Sequence, residues 1–201
     1  MTLNIDELST MDATAQAELV RRRELTPLEL VDAAIARIER LNPTLNAVIH
    51  KHFERARTQA AGELPEGPFR GVPFLLKDFG AATLKGDPNN YGTRFLRDAD
   101  YRASTTSYLV EKFLKAGLII VGRTNTPELP SWTTTEPPAY GPTRNPWVAS
   151  TKRTARPARK KYVPSAKQCA EDQRLKENLD HLSKDDLIEF DKALEKAIKS
   201  A

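Results

Sequence analysis

Residues 70–80 read RGVPFLLKDFG. Val72, Pro73, Phe74, Leu75 and Leu76 make a short apolar run with glycine on either side, the pattern of a buried strand. A second run of the same kind, LIIVG at 118–122, lies further along. Between the two, Leu109, Val110, Phe113 and Leu114 recur at helical spacing from a start near Ser104, and Gly117 is suited to stop that helix. Apolar strand, helix and apolar strand predict a short, mostly parallel sheet covered on both faces, an α/β fold. The stretches 80–103 and 124–147 lack strong periodicity and read as irregular loops; loops of such length are often functional.

Working toward the amino terminus, residues 12–23 read as a helix with Leu19 and Val20 as its main apolar positions. The next helix is better marked. Thr26 is an N-cap, Pro27 stands at the first helical position, and Glu29 completes a capping box. Leu28, Val31, Ile35, Ile38 and Leu41 then line one face, and Asn42 with Pro43 is expected to end it. NAVI at 46–49 is a candidate short strand, and 50–61 a further helix.

Beyond Trp147 the character changes. The net charge is +4, and the basic surplus lies in residues 148–201. Residues 148–167 carry seven lysines and arginines and no acidic residue, with almost no large apolar side chain. A basic, poorly ordered linker is expected over 148–182. Ser183 then caps a predicted amphipathic helix, 183–201, with Leu187, Phe190, Leu194 and Ile198 on one face. That face packs either on the preceding region or on a partner protein. The basic stretch could attract nucleic acid. Only Tyr162 offers a stacking ring there, so a solvated linker is the preferred reading. No run of apolar residues is long enough for a membrane span, and no secretory leader is evident at MTLNIDELST. Cys169 is the single cysteine, so no internal disulfide can form, which fits a reducing cytoplasm.

In a parallel sheet, ligands bind beyond the carboxyl ends of the strands. Lys77 stands at such an end. Desolvated there, with Phe69, Phe74 and Phe79 nearby in sequence, its amine would be a general base. Alternatively, Lys77 turns outward and pairs with Asp78. The second strand runs directly into VGRTNTPEL, placing Thr124 and Asn125 at the same edge as candidate substrate contacts. His50 and His52 near a helix start, and His181 far away, read as surface or loop histidines and not as a metal site. Cys169, though near Lys167, has no histidine partner in sequence and reads as an idle thiol. Trp132 and Trp147 are expected to be packing anchors in proline-rich loops.

These motifs carry a resemblance. GVPFLLKDF, then AGLIIVGRTNTPEL, then TTEPPAYGPTRNPW, with LTPLELVDAAIARIERLNPTLNAVI before them, resemble the amidase signature family over residues 5–147. The wording is nearest to hydrolases of cyclic and linear amides, of the kind acting on aminohexanoate oligomers. The resemblance implies a small-molecule amide substrate, no cofactor, and a Ser–cis-Ser–Lys triad in which Lys77 accepts a proton through a bridging serine while a second serine attacks the carbonyl.

The family follows its Asn-Pro-Trp by a Gly-Gly-Ser-Ser-Gly-Gly segment that supplies the bridge, and later by the nucleophile. Here Trp147 is followed by VASTKRTARPARKKYV, and the last glycine is Gly141. Ser150, Thr151, Thr154 and Ser165 are hydroxyls without that glycine context, and neither role is carried onto them. The expectation is therefore an incomplete amidase-like region, 1–147, joined to unrelated material and inactive alone. The alternative is a non-enzymatic protein that binds nucleic acid or a partner protein through its basic tail.

Overall fold

The computed structural model describes residues 5–147. The expected linker and carboxyl-terminal helix, Ser150, Thr151, Thr154, Ser165, Cys169 and His181 lie outside the described residues.

The two apolar runs pair in parallel, as strand β2 (Pro73–Lys77) and strand β3 (Ile119–Thr124). The third strand, β1 (Val48–Lys51), lies antiparallel on the other side of β3, giving the order β1-β3-β2. β3 is therefore central, and residues 119–123 are all buried. Its side chains alternate between two layers, as the strand period requires. Ile119 and Val121 pack with Val31, Ile35, Ala56, Ala60 and Leu64. Ile120 packs on the opposite side with Leu76, Val110 and, at the margin, Phe113 and Leu114. Gly122 is demanded by close approach: a β-carbon there would stand 2.5 Å from the His50 carbonyl oxygen of β1.

The first layer comes from α3 (Pro27–Leu45) and α4 (Phe53–Ala61), the second from α6 (Tyr108–Lys115). The shorter helices are α1 (Ile5–Leu8), α2 (Ala13–Arg21) and α5 (Arg94–Asp98). α3 begins with the expected capping box. Glu29 N–H donates to Thr26 Oγ1 at 3.2 Å, and Thr26 N–H donates to the Glu29 carboxylate at 2.7 Å.

The carboxyl end of α3 differs from expectation, since the helix carries Pro43 inside it and runs to Leu45. In its last turn, Pro43 forgoes only one main-chain hydrogen bond. Asn46 then takes the left-handed conformation and donates its N–H to Asn42 O at 2.7 Å. Asn42 ties the exit into β1 with its side chain: Oδ1 accepts from Ala47 and Val48 N–H, and Nδ2 donates to Val48 O. β1 accordingly extends past residue 49 to Lys51, and α4 starts only at Phe53.

Between β2 and β3 the loop holds a short 3-10 turn, Gly80–Ala82, and α5. α6 begins at Tyr108, later than the sequence implies, because Ser107 is its cap. Ser107 Oγ accepts from Val110 N–H at 3.4 Å and donates to Ala81 O at 2.9 Å. Gly117 ends that helix at φ +90°, against the backbone of Arg70. Trp132 and Trp147, expected as anchors, are 72% and 81% exposed.

Among the described residues no helix is long and apolar enough to cross a membrane.

Candidate active site

Lys77 is the last residue of β2 and Thr124 the last of β3, and the two are register partners across the parallel pair. The sheet therefore brings the predicted lysine and the predicted hydroxyl to one edge. The expectation of a desolvated amine is not met: Lys77 is exposed. Phe79 stands by the amine, its ring centroid 5.5 Å from Nζ. Phe69 and Phe74 pack instead around Val72 and Leu118.

Asp78 is not the partner of Lys77. It is fully buried and faces Arg123, also fully buried, with Arg123 Nε 3.7 Å from Asp78 Oδ1. The Asp78 carboxylate accepts from the N–H groups of Asn90 at 2.8 Å and Gly92 at 3.3 Å. Its own N–H donates to Thr124 O at 3.0 Å. Arg123 Nη1 donates to Ala82 O, and Nη2 donates to Lys77 O and Asn89 Oδ1, at 3.0, 3.0 and 2.8 Å. Burial pushes the Asp78 carboxyl up and the Arg123 guanidinium down, and each charge opposes the other's shift.

Asn125 is 8% exposed, and its amide is committed to the protein. Nδ2 donates to Gly141 O and Thr143 Oγ1, both at 3.0 Å, while Oδ1 accepts from Thr126 N–H. Asn46 Nδ2 donates to Tyr140 O, and Thr143 Oγ1 donates to Asn46 O. Together these bonds pin the Tyr140–Thr143 approach against the end of α3 and the end of β3.

The histidines also differ from expectation. His50 lies within β1 and is half-buried, because β1 pairs with β3. Tyr140 OH stands 3.2 Å from His50 Nε2, and Asn90 Nδ2 donates to the same hydroxyl. Burial, with the charges of Arg123 and His52, pushes the His50 imidazole down to about 4. Burial also pushes the Tyr140 phenol up. His52 precedes α4, with Nε2 3.2 Å from Asp87 Oδ2, and Arg55 grips the same carboxylate with both terminal nitrogens. Burial pushes Asp87 up, but the hydrogen bonds from His52 and Arg55 outweigh it and hold the carboxyl well below the usual range.

Sequence reading missed Arg123 and Asp78 as a unit. The signal was present as a lone arginine inside the second apolar strand and a carboxylate directly after the first. Among the described residues no group of three or more His, Cys, Asp or Glu could hold a metal ion. A separate apolar groove of about 380 Å³ lies between α3 and the sheet, lined by residues such as Leu30, Ile38, Leu41, Phe74 and Leu75. Lys77 does not line it, and its walls offer no acid–base chemistry.

The sequence model of the Amidase family matches residues 29–154. The 6-aminohexanoate-cyclic-dimer hydrolase of Paenarthrobacter ureafaciens is 48% identical over 136 residues, 68% of this chain and 27% of the relative. Among solved structures, 6-aminohexanoate cyclic dimer hydrolase complexed with substrate is 47% identical with a TM-score of 0.64, covering 68% of this chain and 28% of that one. A bacterial aryl acylamidase of the amidase signature enzymes is 36% identical with a TM-score of 0.62, over 68% and 29%. The chain thus spans little more than a quarter of the length of these proteins.

Proposed function

The chain belongs to the amidase signature family, and from that premise we propose that it carries the proton-accepting part of an amide-hydrolysing site, with Lys77 as general base. The observation that supports this most is the pairing of Lys77 with Thr124 at the carboxyl edge of the parallel strands. The Lys77 amine takes a proton from a bridging hydroxyl, which takes one from the attacking serine. The serine oxygen bonds to the amide carbonyl carbon, the carbon–nitrogen bond breaks, and the proton leaves with the amine. Water then releases the acyl group.

Both hydroxyls come from residues this chain does not identify, so the chain alone is inactive. Thr124 edges the substrate side. Asn125 acts through the loop that it holds. The substrate class is linear or cyclic carboxamides, by analogy with the names of the relatives. A cytoplasmic setting accompanies this reading, supported by the single cysteine.

The test is complementation. The full chain is mixed with the remainder of the Paenarthrobacter hydrolase, cut so that it lacks the part matched here. Hydrolysis of the cyclic dimer is expected only from the mixture, and not from a mixture with Lys77→Ala. No hydrolysis from this chain, in conditions where the hydrolase's own amino-terminal fragment restores it, overturns the proposal. Lysine-dependent turnover by the chain alone overturns the statement that it is inactive.

A further inference from the structure

Two buried charges stand directly behind the lysine and take no part in the proposed proton transfer. Removing a carboxylate and a guanidinium from water costs several kcal/mol per ion, and well-packed apolar residues often hold a core equally well. Stability alone therefore gives no reason for Asp78 and Arg123 to sit there. Their hydrogen bonds give a more specific one. Arg123 Nη2 holds the carbonyl oxygen of Lys77, and the next peptide N–H, that of Asp78, is held by Thr124 O. The Asp78 carboxylate in turn collects Asn90 and Gly92 N–H, while Arg123 collects Ala82 O and Asn89 Oδ1. One charge pair thus gathers the strand end and the loop from Ala82 to Gly92 around the main chain of Lys77. The lysine stem is long and flexible, so the direction of its root decides where the amine can reach.

We propose that Asp78 and Arg123 are a positioning pair that fixes the presentation of the Lys77 amine at the sheet edge. The proposal rests on the reading of Lys77 as the base. The pair touches neither substrate nor the transferred proton; it acts through the lysine's main chain. Beside it, the Lys77 amine stands 5.5 Å from the Phe79 ring centroid, and that contact gives a spectroscopic handle.

The experiment uses the full chain with its lysines dimethylated by ¹³C-formaldehyde and observed by ¹H–¹³C NMR. The Lys77 signal is assigned by its loss in Lys77→Arg. It is expected to be displaced by the ring current of Phe79, and to lose the displacement in Phe79→Leu. Asp78→Asn and Arg123→Lys are expected to return it to the position of a freely mobile lysine while the other dispersed signals persist. Asn89→Ala, a milder change that removes one Arg123 acceptor, is expected to give an intermediate position. A wild-type signal already at the mobile position, or a displaced signal unmoved by the pair variants, overturns the proposal. So does loss of dispersion throughout in all three variants, which makes the pair a folding element only.

In the complemented mixture, Asp78→Asn is expected to lower kcat on the order of 100-fold with KM unchanged, the cost of a misplaced catalytic group. If the NMR response appears but the wild-type mixture is silent, the base assignment fails while the positioning stands. If the mixture is active and Lys77-dependent but indifferent to the pair, the positioning fails alone.

Discussion

His50 is neutral in the folded chain because burial pushes its imidazole down to about 4, with Arg123, His52 and Arg102 adding repulsion and Asp87 opposing them. The unfolded chain takes up this proton near pH 6.5, so between the two values the unfolded state binds more protons. Stability is then full above about pH 6.5 and falls as pH drops toward about 4, by on the order of 2 kcal/mol after allowance for solvent screening. Asp87, held low by His52 and Arg55, extends the loss at still lower pH, since its contribution is present above the ordinary carboxylate pKa and fades through the depressed one. Urea midpoints measured by circular dichroism at about pH 7 and about pH 4.5 should differ in that sense. His50→Gln should flatten the difference. At Gly122, substitution by alanine forces a β-carbon against the His50 carbonyl oxygen. The urea midpoint should fall by an equivalent of about 1–3 kcal/mol, the usual cost of overpacking. Lys77 was legible at this scale because its place at a strand end follows from the apolar run before it. Its exposure was not, because exposure depends on what covers the sheet edge, and Asp78 finds its partner at Arg123, far along the chain.

The elements differ in how far local chemistry fixes them. The start of α3 is written in four consecutive residues, Thr26 to Glu29, and the capping box forms as read. Thr26→Ala should cost about 1 kcal/mol in thermal or urea denaturation. The end of α3 was misjudged because Asn42 uses its side chain to bind Ala47 and Val48, and the helix continues past Pro43 to the left-handed Asn46. Asn42→Ala removes those bonds and leaves two main-chain N–H groups without their acceptor. The expected loss is about 1–3 kcal/mol, read from the same denaturation curves. His50 was placed near a helix for a related reason. β1 has no strong periodicity of its own and becomes a strand through pairing with β3, an interaction no local window contains.

At the scale of the molecule, β1 and β2 are the edges of the sheet among the described residues, and the chain spans 27% of its relative. The basic stretch after Trp147 leaves a second function open to measurement. The full chain is expected not to retain DNA or RNA at about 0.15 M salt, where exposed charges are screened beyond roughly 8 Å. Salt-sensitive retention that disappears on deleting residues 148–201 would establish the nucleic-acid alternative. The exposure of Trp132 and Trp147, the chain's two tryptophans, has a practical corollary at the bench. Their emission should already be that of indole in water, so urea will scarcely change its colour and fluorescence will be a poor monitor of unfolding. A blue shift on adding the complementing fragment would then report burial of an indole as the two pieces meet.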